Sequence, residues 1–237
     1  MVNAAVTPAA LRAASPAPLA APAPRLWLHG DGPLSGLLAE ALCAAGAAVH
    51  AHAPQAGAGA GADAETACAT AAGALDGLDA LVCVADPLPA AATADAIVAA
   101  ALVATQRLLG SAKAATGHWT RARTPGSIVV VCDIAGLCGR EGLAASAAAS
   151  GALLGMARSL AKELGRRQIA VNAVCHGFVA GLDTGSALNG AEQRLFGAMG
   201  LGKPVTAAML AADVLFLAGG GHGLTGQVLH ADDGLVI

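Results

Sequence analysis

The sequence contains no tyrosine. A chain without a phenol excludes from its own chemistry every mechanism that uses one as acid, base or nucleophile. Other aromatics are scarce as well, with three Phe and two Trp among 237 residues. Charge is thin: 13 basic and 16 acidic residues give a net charge of −3. No Lys/Arg run is long enough for a nucleic-acid patch, and the closest cluster, Arg121 to Arg123, reads as a solvated loop. Long apolar runs are missing too. The mean hydropathy is +0.63, but the apolar stretches are mostly Ala and Gly. Charge, Pro or Gly cuts them before spanning length, so no membrane span is expected. The six cysteines, Cys43, Cys68, Cys83, Cys132, Cys138 and Cys175, form no C-x-x-C pair. Several sit in apolar runs, where a thiol behaves as a small hydrophobe. They imply a reducing cytoplasm and no disulfide framework. His50 and His52 share a strand face without an evident third ligand, so no metal site is expected.

What is present is small and apolar. Hydrophobic residues make up 56% and there are 31 glycines, which excludes global disorder. The length fits one domain with a real core. Residues 1–24 are Ala/Pro-rich and nearly uncharged. They lack a basic start followed by a Leu-rich stretch, so they read as a flexible tail rather than a secretory leader. From Arg25 the pattern changes, and residues 25–237 form the expected domain. RLWLH (25–29), AAVHAH (47–52), LDALVCVA (78–85), SIVVVC (127–132), IAVNAVC (169–175) and GQVLHA (226–231) read as strands. Helices are expected over 34–46, 93–116 and 143–165, and near 190–199 and 205–218. Residues 53–77 are Gly-rich with little periodicity and read as abbreviated, too short for a helix plus a strand. Continuous apolar strands alternating with helices predict an α/β fold, a single Rossmann-like doubly wound parallel sheet.

Four segments then carry a likeness. HGDGPLSG (29–36) sits where a T-G-x-x-x-G-x-G turn is found, and LDALVCVAD (78–86) where a strand ends in N-N-A-G. Residues 126–179 match an active-site strand, helix and following strand, and LTGQVLHADDGLVI (224–237) matches a C-terminal strand and tail. In these the chain resembles the short-chain dehydrogenase/reductase family, in its branch of beta-ketoacyl-thioester reductases and hydroxyacyl-CoA dehydrogenases. The resemblance implies an NAD(P)-dependent oxidoreductase with a Ser, Tyr, Lys and Asn catalytic set. Here those positions fall at Asp133, Ser146, Ser150 and about Ala101, so all four functional groups are replaced.

The replacements matter chemically. A serine hydroxyl is a far weaker acid than a Lys-activated phenol. An ionised Asp133 accepts hydrogen bonds but donates none, and it repels a developing oxyanion. At about 4 Å and an effective dielectric near 20 that repulsion is about 4 kcal/mol, close to a thousandfold in rate. Two settings for Asp133 stay open, a solvated pocket and a pair with Arg140. At the cofactor turn Gly30 and Gly36 remain as vestiges. Leu34 replaces the middle glycine, Pro33 removes an N–H donor, and Asp31 and Asp86 oppose a dianionic ligand. The strand ending at His52 offers no acid for a ribose and no Arg for a 2′-phosphate. His176-Gly177 replaces the family's P-G.

The expectation is a pseudoenzyme that binds NAD(P) weakly or not at all. It would assemble, as a heterodimer or heterotetramer, with an active paralogue acting on acyl-CoA or acyl-ACP thioesters in the cytoplasm. In the family the long helices and C-terminal strand build such interfaces, and Ala147, Ala148, Ala149 and Gly151 allow close helix approach. The alternative is a functioning NAD(P)-dependent reductase with atypical catalytic residues such as Asp133 or His176. A third reading is a non-enzymatic ligand-binding or regulatory protein.

Overall fold

The computed structural model describes residues 23–53, 60–86, 88, 93–182, 190–219 and 223–236; the tail expected over 1–24 lies almost wholly outside them. Six strands are defined: β1 (Arg25–His29), β2 (Ala48–His52), β3 (Ala80–Val84), β4 (Gly126–Asp133), β5 (Ile169–His176) and β6 (Val228–Ala231). They pair in the order β2-β1-β3-β4-β5-β6, every pair parallel. The helices are α1 (Pro33–Ala44), α2 (Ala60–Ala74), α3 (Ala94–Ala122), α4 (Ala135–Cys138), α5 (Ala144–Leu164), α6 (Gly190–Ala198) and α7 (Ala207–Ala218). Among the described residues no helix is long and apolar enough to cross a membrane.

Alternation along the strands divides the core in two, because successive side chains point to opposite faces of a sheet. Trp27, Leu81, Ile128 and Val130 join residues of α2, α3 and α5, including Ala71, Leu108, Trp119 and Leu153. Leu26, Leu28, Val82 and Val129 join Leu34 and Leu38 of α1 and Leu210 and Val214 of α7. Both faces are covered, as the continuous apolar strands require. Small residues set the approach of the layers. A Cβ on Gly126 would lie 2.2 Å from the Trp119 ring, whose Nε1–H donates to the Leu78 carbonyl at 2.7 Å.

The region 53–77, expected to be too short for a helix plus a strand, holds no strand among its described residues but is not without structure. It carries the fifteen-residue helix α2, which packs Ala64, Ala67, Cys68 and Ala71 into the core. The helix itself has no large apolar side chains to show a helical period, yet its alanines are strong helix formers. The wall of the fold that the sequence left thin is therefore built. The short α4 was also unanticipated.

Strand order reverses between β1 and β3, and ligands in open α/β sheets bind in the crevice outside the carboxyl ends at such a point. Gly30 follows β1 there, Asp86 lies two residues beyond β3, and Asp133 and His176 end β4 and β5.

Candidate functional site

The turn after β1 is short because Pro33 starts α1 at once, its fixed φ suited to a first helical position. Gly32 precedes it with an extended backbone and no side-chain cap. The free N–H groups of this first turn are claimed by Asp86. One carboxylate oxygen accepts from Leu34 N at 2.7 Å and Ser35 N at 3.3 Å. The other accepts from Gly32 N at 3.1 Å and the Ser35 hydroxyl at 2.6 Å. The fit depends on bare glycine: a Cβ on Gly32 would fall 2.3 Å from the Asp86 carboxyl carbon, and one on Gly30 2.1 Å from Ser35 Oγ. Gly36, read as the second vestige, has open space where a Cβ would point. Leu34 turns its side chain into the core, so its contribution at the crevice is its N–H.

Asp31 does not face the turn as an unpaired charge. It accepts from both terminal nitrogens of Arg107 on α3, at 2.8 and 2.9 Å. On the same helix Ser111 donates to the Arg107 carbonyl at 2.7 Å and lies 2.5 Å from His29 Nδ1. With the hydroxyl proton so directed, Nδ1–H is the donor and His29 Nε2 carries a bare lone pair, with no partner among the described residues. Burial, then the nearby His52 and Arg107, push the His29 imidazole down to about 4, so the ring is neutral at physiological pH. His52 Nε2 lies 3.5 Å from an Asp63 carboxylate oxygen. No group of three or more metal-ligating side chains occurs among the described residues.

At the ends of β4 and β5 the structure brings Asp133 and Ser146 together and adds an arginine. Asp133 accepts from the Ala135 N–H at 2.7 Å and from the Ser146 hydroxyl at 3.3 Å. Arg140 places a terminal nitrogen 3.6 Å from the same carboxylate, with both side chains at least 96% buried. The guanidinium carbon lies 4.3 Å from the Phe178 ring centre, a cation–π contact, and Phe196 packs edge-on against Phe178. Arg140 Nε is buried without a partner among the described residues. Of the two settings open for Asp133, the pair with Arg140 is the one formed. The isolated negative charge expected at this position is thus offset, and the repulsion computed for it does not apply in full.

Ser150 is buried one turn beyond Ser146, but it packs against Gly136, where an added Cβ would lie 2.6 Å from Ser150 Cβ. Ala101 is half-buried on α3, its carbonyl accepting from Thr105 at 2.9 Å. Ser150 also hydrogen-bonds the Cys132 thiol, behind Asp133. His176 Nδ1 lies 3.0 Å from the Gly177 carbonyl, leaving Nε2 unpartnered among the described residues. Behind the cleft the Cys132 and Cys175 sulfurs are 3.7 Å apart and unlinked. A cavity of about 240 Å³ opens beside Arg140, Glu141 and Arg194. A larger one of about 590 Å³ lies between α2 and α3, near Glu65, Lys113 and Arg121, away from the strand ends.

The burial of Arg140 and its stacking on Phe178 were not legible beforehand; the signal was a lone Arg seven residues after the Asp, in a Gly-rich loop. Asp86 was seen only as a repulsive charge, although an acid immediately after an apolar strand is well placed to reach a neighbouring helix start.

A family model described as enoyl-(acyl carrier protein) reductase matches residues 37–236. The turn at 30–36 precedes the matched stretch. Similar curated proteins include 3-oxoacyl-[acyl-carrier-protein] reductase of Rattus norvegicus, 41% identical over 46% of this chain and 45% of its own length. The 3-oxoacyl-[acyl-carrier-protein] reductase FabG of Thermotoga maritima is 37% identical over 47% of this chain and 46% of its own. Nodulation protein G of Rhizobium meliloti is 28% identical over 48% and 47%. The chain thus spans about half the length of the curated relatives it matches.

Proposed function

Taking as premise that this chain belongs to the short-chain dehydrogenase/reductase family, we propose that it keeps the scaffold of a ketoacyl-thioester reductase without moving a hydride itself. It serves as a supporting subunit of an active paralogue in the cytoplasm. The observation that carries this reading is the Asp133–Arg140 pair. It fills the catalytic corner with a buried, mutually neutralised couple, and Ser146 spends its proton on Asp133 rather than on a substrate oxygen. The chain has no phenol to replace that proton.

The nicotinamide dinucleotide implied by the family fares no better. Its pyrophosphate needs the N–H groups that open α1, and those of Gly32, Leu34 and Ser35 are bonded to Asp86. The residues as they stand do not fit the cofactor, and no step is routed through it.

The test is to purify the untagged chain from its host and assay it alone, with NADH or NADPH and a 3-oxoacyl thioester. The expected result is no turnover above the blank and co-elution with a paralogue carrying the Ser, Tyr and Lys set. Turnover by the isolated chain overturns the reading.

A second reading, an NAD(P)-dependent reductase with atypical groups, is favoured over the supporting-subunit reading by the relatives, which are 3-oxoacyl-[acyl-carrier-protein] reductases. The unpartnered Nε–H of Arg140 is the donor it would turn toward a substrate oxygen. Guanidinium does not release its proton in a protein, so that reading requires the proton to come from water. Under it, Arg140→Met abolishes the activity; under the first reading there is none to lose.

A further inference from the structure

We infer that Asp86 is an intramolecular stand-in for phosphate, an autoinhibitory contact that holds the dinucleotide crevice shut. The inference stands whether or not the chain transfers hydride.

Asp86 meets the turn as a ligand meets a site. Both of its oxygens are used, each taking two donors, and the four donors converge from one turn of backbone and one hydroxyl. Gly30 and Gly32 clear the way for it: with side chains there, Ser35 and Asp86 would have to move. In the aligned N-N-A-G segment a glycine belongs where Asp86 stands, so the carboxylate is an addition to the crevice. The turn keeps its donors and the chain supplies its own anion to them.

The competition is unequal. Asp86 sits two residues beyond the buried strand β3, so it binds without the translational and rotational cost that a free ligand bears. A phosphate that displaces it must also tolerate the carboxylate nearby until Asp86 turns outward. Asp86 is only half-buried, which leaves a path to solvent. The apparent affinity for a phosphorylated ligand is then its intrinsic affinity reduced by the fraction of molecules in which Asp86 has left the turn. A purely structural cap would use the same bonds, and the experiment separates the two.

The full chain carrying Asp86→Gly or Asp86→Asn is titrated by calorimetry with ADP-ribose and, separately, inorganic pyrophosphate. ADP-ribose presents the dinucleotide's pyrophosphate without nicotinamide chemistry. Release of the contact is expected to tighten ADP-ribose binding by about tenfold or more in Asp86→Gly, the gain expected when a closed state hides nine molecules in ten. Asp86→Asn is expected to gain less, since it keeps the shape and one acceptor but loses the charge. Adding Ser35→Ala to Asp86→Gly should reverse part of the gain. The inference is overturned if both variants fold and bind no tighter than wild type. It is equally overturned if both unfold, because Asp86 is then needed as a cap. Its failure is distinct from that of the supporting-subunit reading, which falls only if the wild-type chain turns over substrate.

Discussion

Arg140 is the residue on which the electrostatics of the cleft turn. Asp133 and Arg140 are both almost fully withdrawn from water. Removing one partner of a buried pair leaves an uncompensated charge, which costs about 3–5 kcal/mol, whereas replacing both by apolar or neutral groups is often close to neutral. Arg140→Met is therefore expected to lower the melting temperature by about 6 °C or more, at about 2–4 °C per kcal/mol for a chain of this size. Asp133→Asn combined with Arg140→Met should recover most of that loss, and thermal melts of the three variants check it.

His29 carries a second expectation at this scale. Its folded-state pKa of about 4 lies below the ordinary 6.5, chiefly because of burial. Between those values the unfolded chain binds the proton and the folded chain does not. Stability is thus fully present above about pH 6.5 and declines as pH falls toward 4, by up to about 3 kcal/mol. His29→Asn should flatten this limb in urea titrations run from pH 7 to pH 4.5. Asp79, held below the usual carboxylate range mainly by its hydrogen bond to Arg25, loses its contribution only below that window.

At the scale of elements, the strands were legible because each is a short, mostly apolar run, the four central ones buried on both faces, and their expected edges fall within two residues of those found. The long helices were legible where Leu, Met and charge alternate around Ala. Helix α2 was not, since Ala, Gly and Thr give no contrast between its faces. The Asp133 corner was half legible. Helix α5 brings Ser146 to Asp133, but Arg140 returns through a loop whose path depends on Gly139 and Gly142, both at positive φ. Spacing alone does not reveal such a path. Helix ends offer a local check. Thr206 caps α7 by accepting from Met209 N at 3.2 Å, and α7 carries Leu210 and Val214 into the core. Thr206→Ala is expected to cost about 1 kcal/mol, read as a lower urea midpoint with an unchanged slope.

For the whole molecule the informative surface is on α3. Val98, Leu102 and Leu109 are 66%, 53% and 53% exposed, and their spacing of four and seven residues puts them on one stripe. Exposed apolar side chains grouped on one helix face are a candidate interaction surface. Under the supporting-subunit proposal this stripe is the face offered to a partner. Glutamate at Leu102 and Leu109 separates an interface role from a folding role. In the isolated chain both positions already meet solvent, so the double variant should unfold within about 0.5 kcal/mol of wild type. In an assembly the same carboxylates would be buried without partners, at several kcal/mol, weakening association by at least about a hundredfold. Light scattering coupled to size exclusion, run with and without the co-purified paralogue, should show the variant as a folded monomer where the wild type is part of a complex. A variant that stays assembled would remove α3 from the interface, and the supporting-subunit reading would then need another surface to act through.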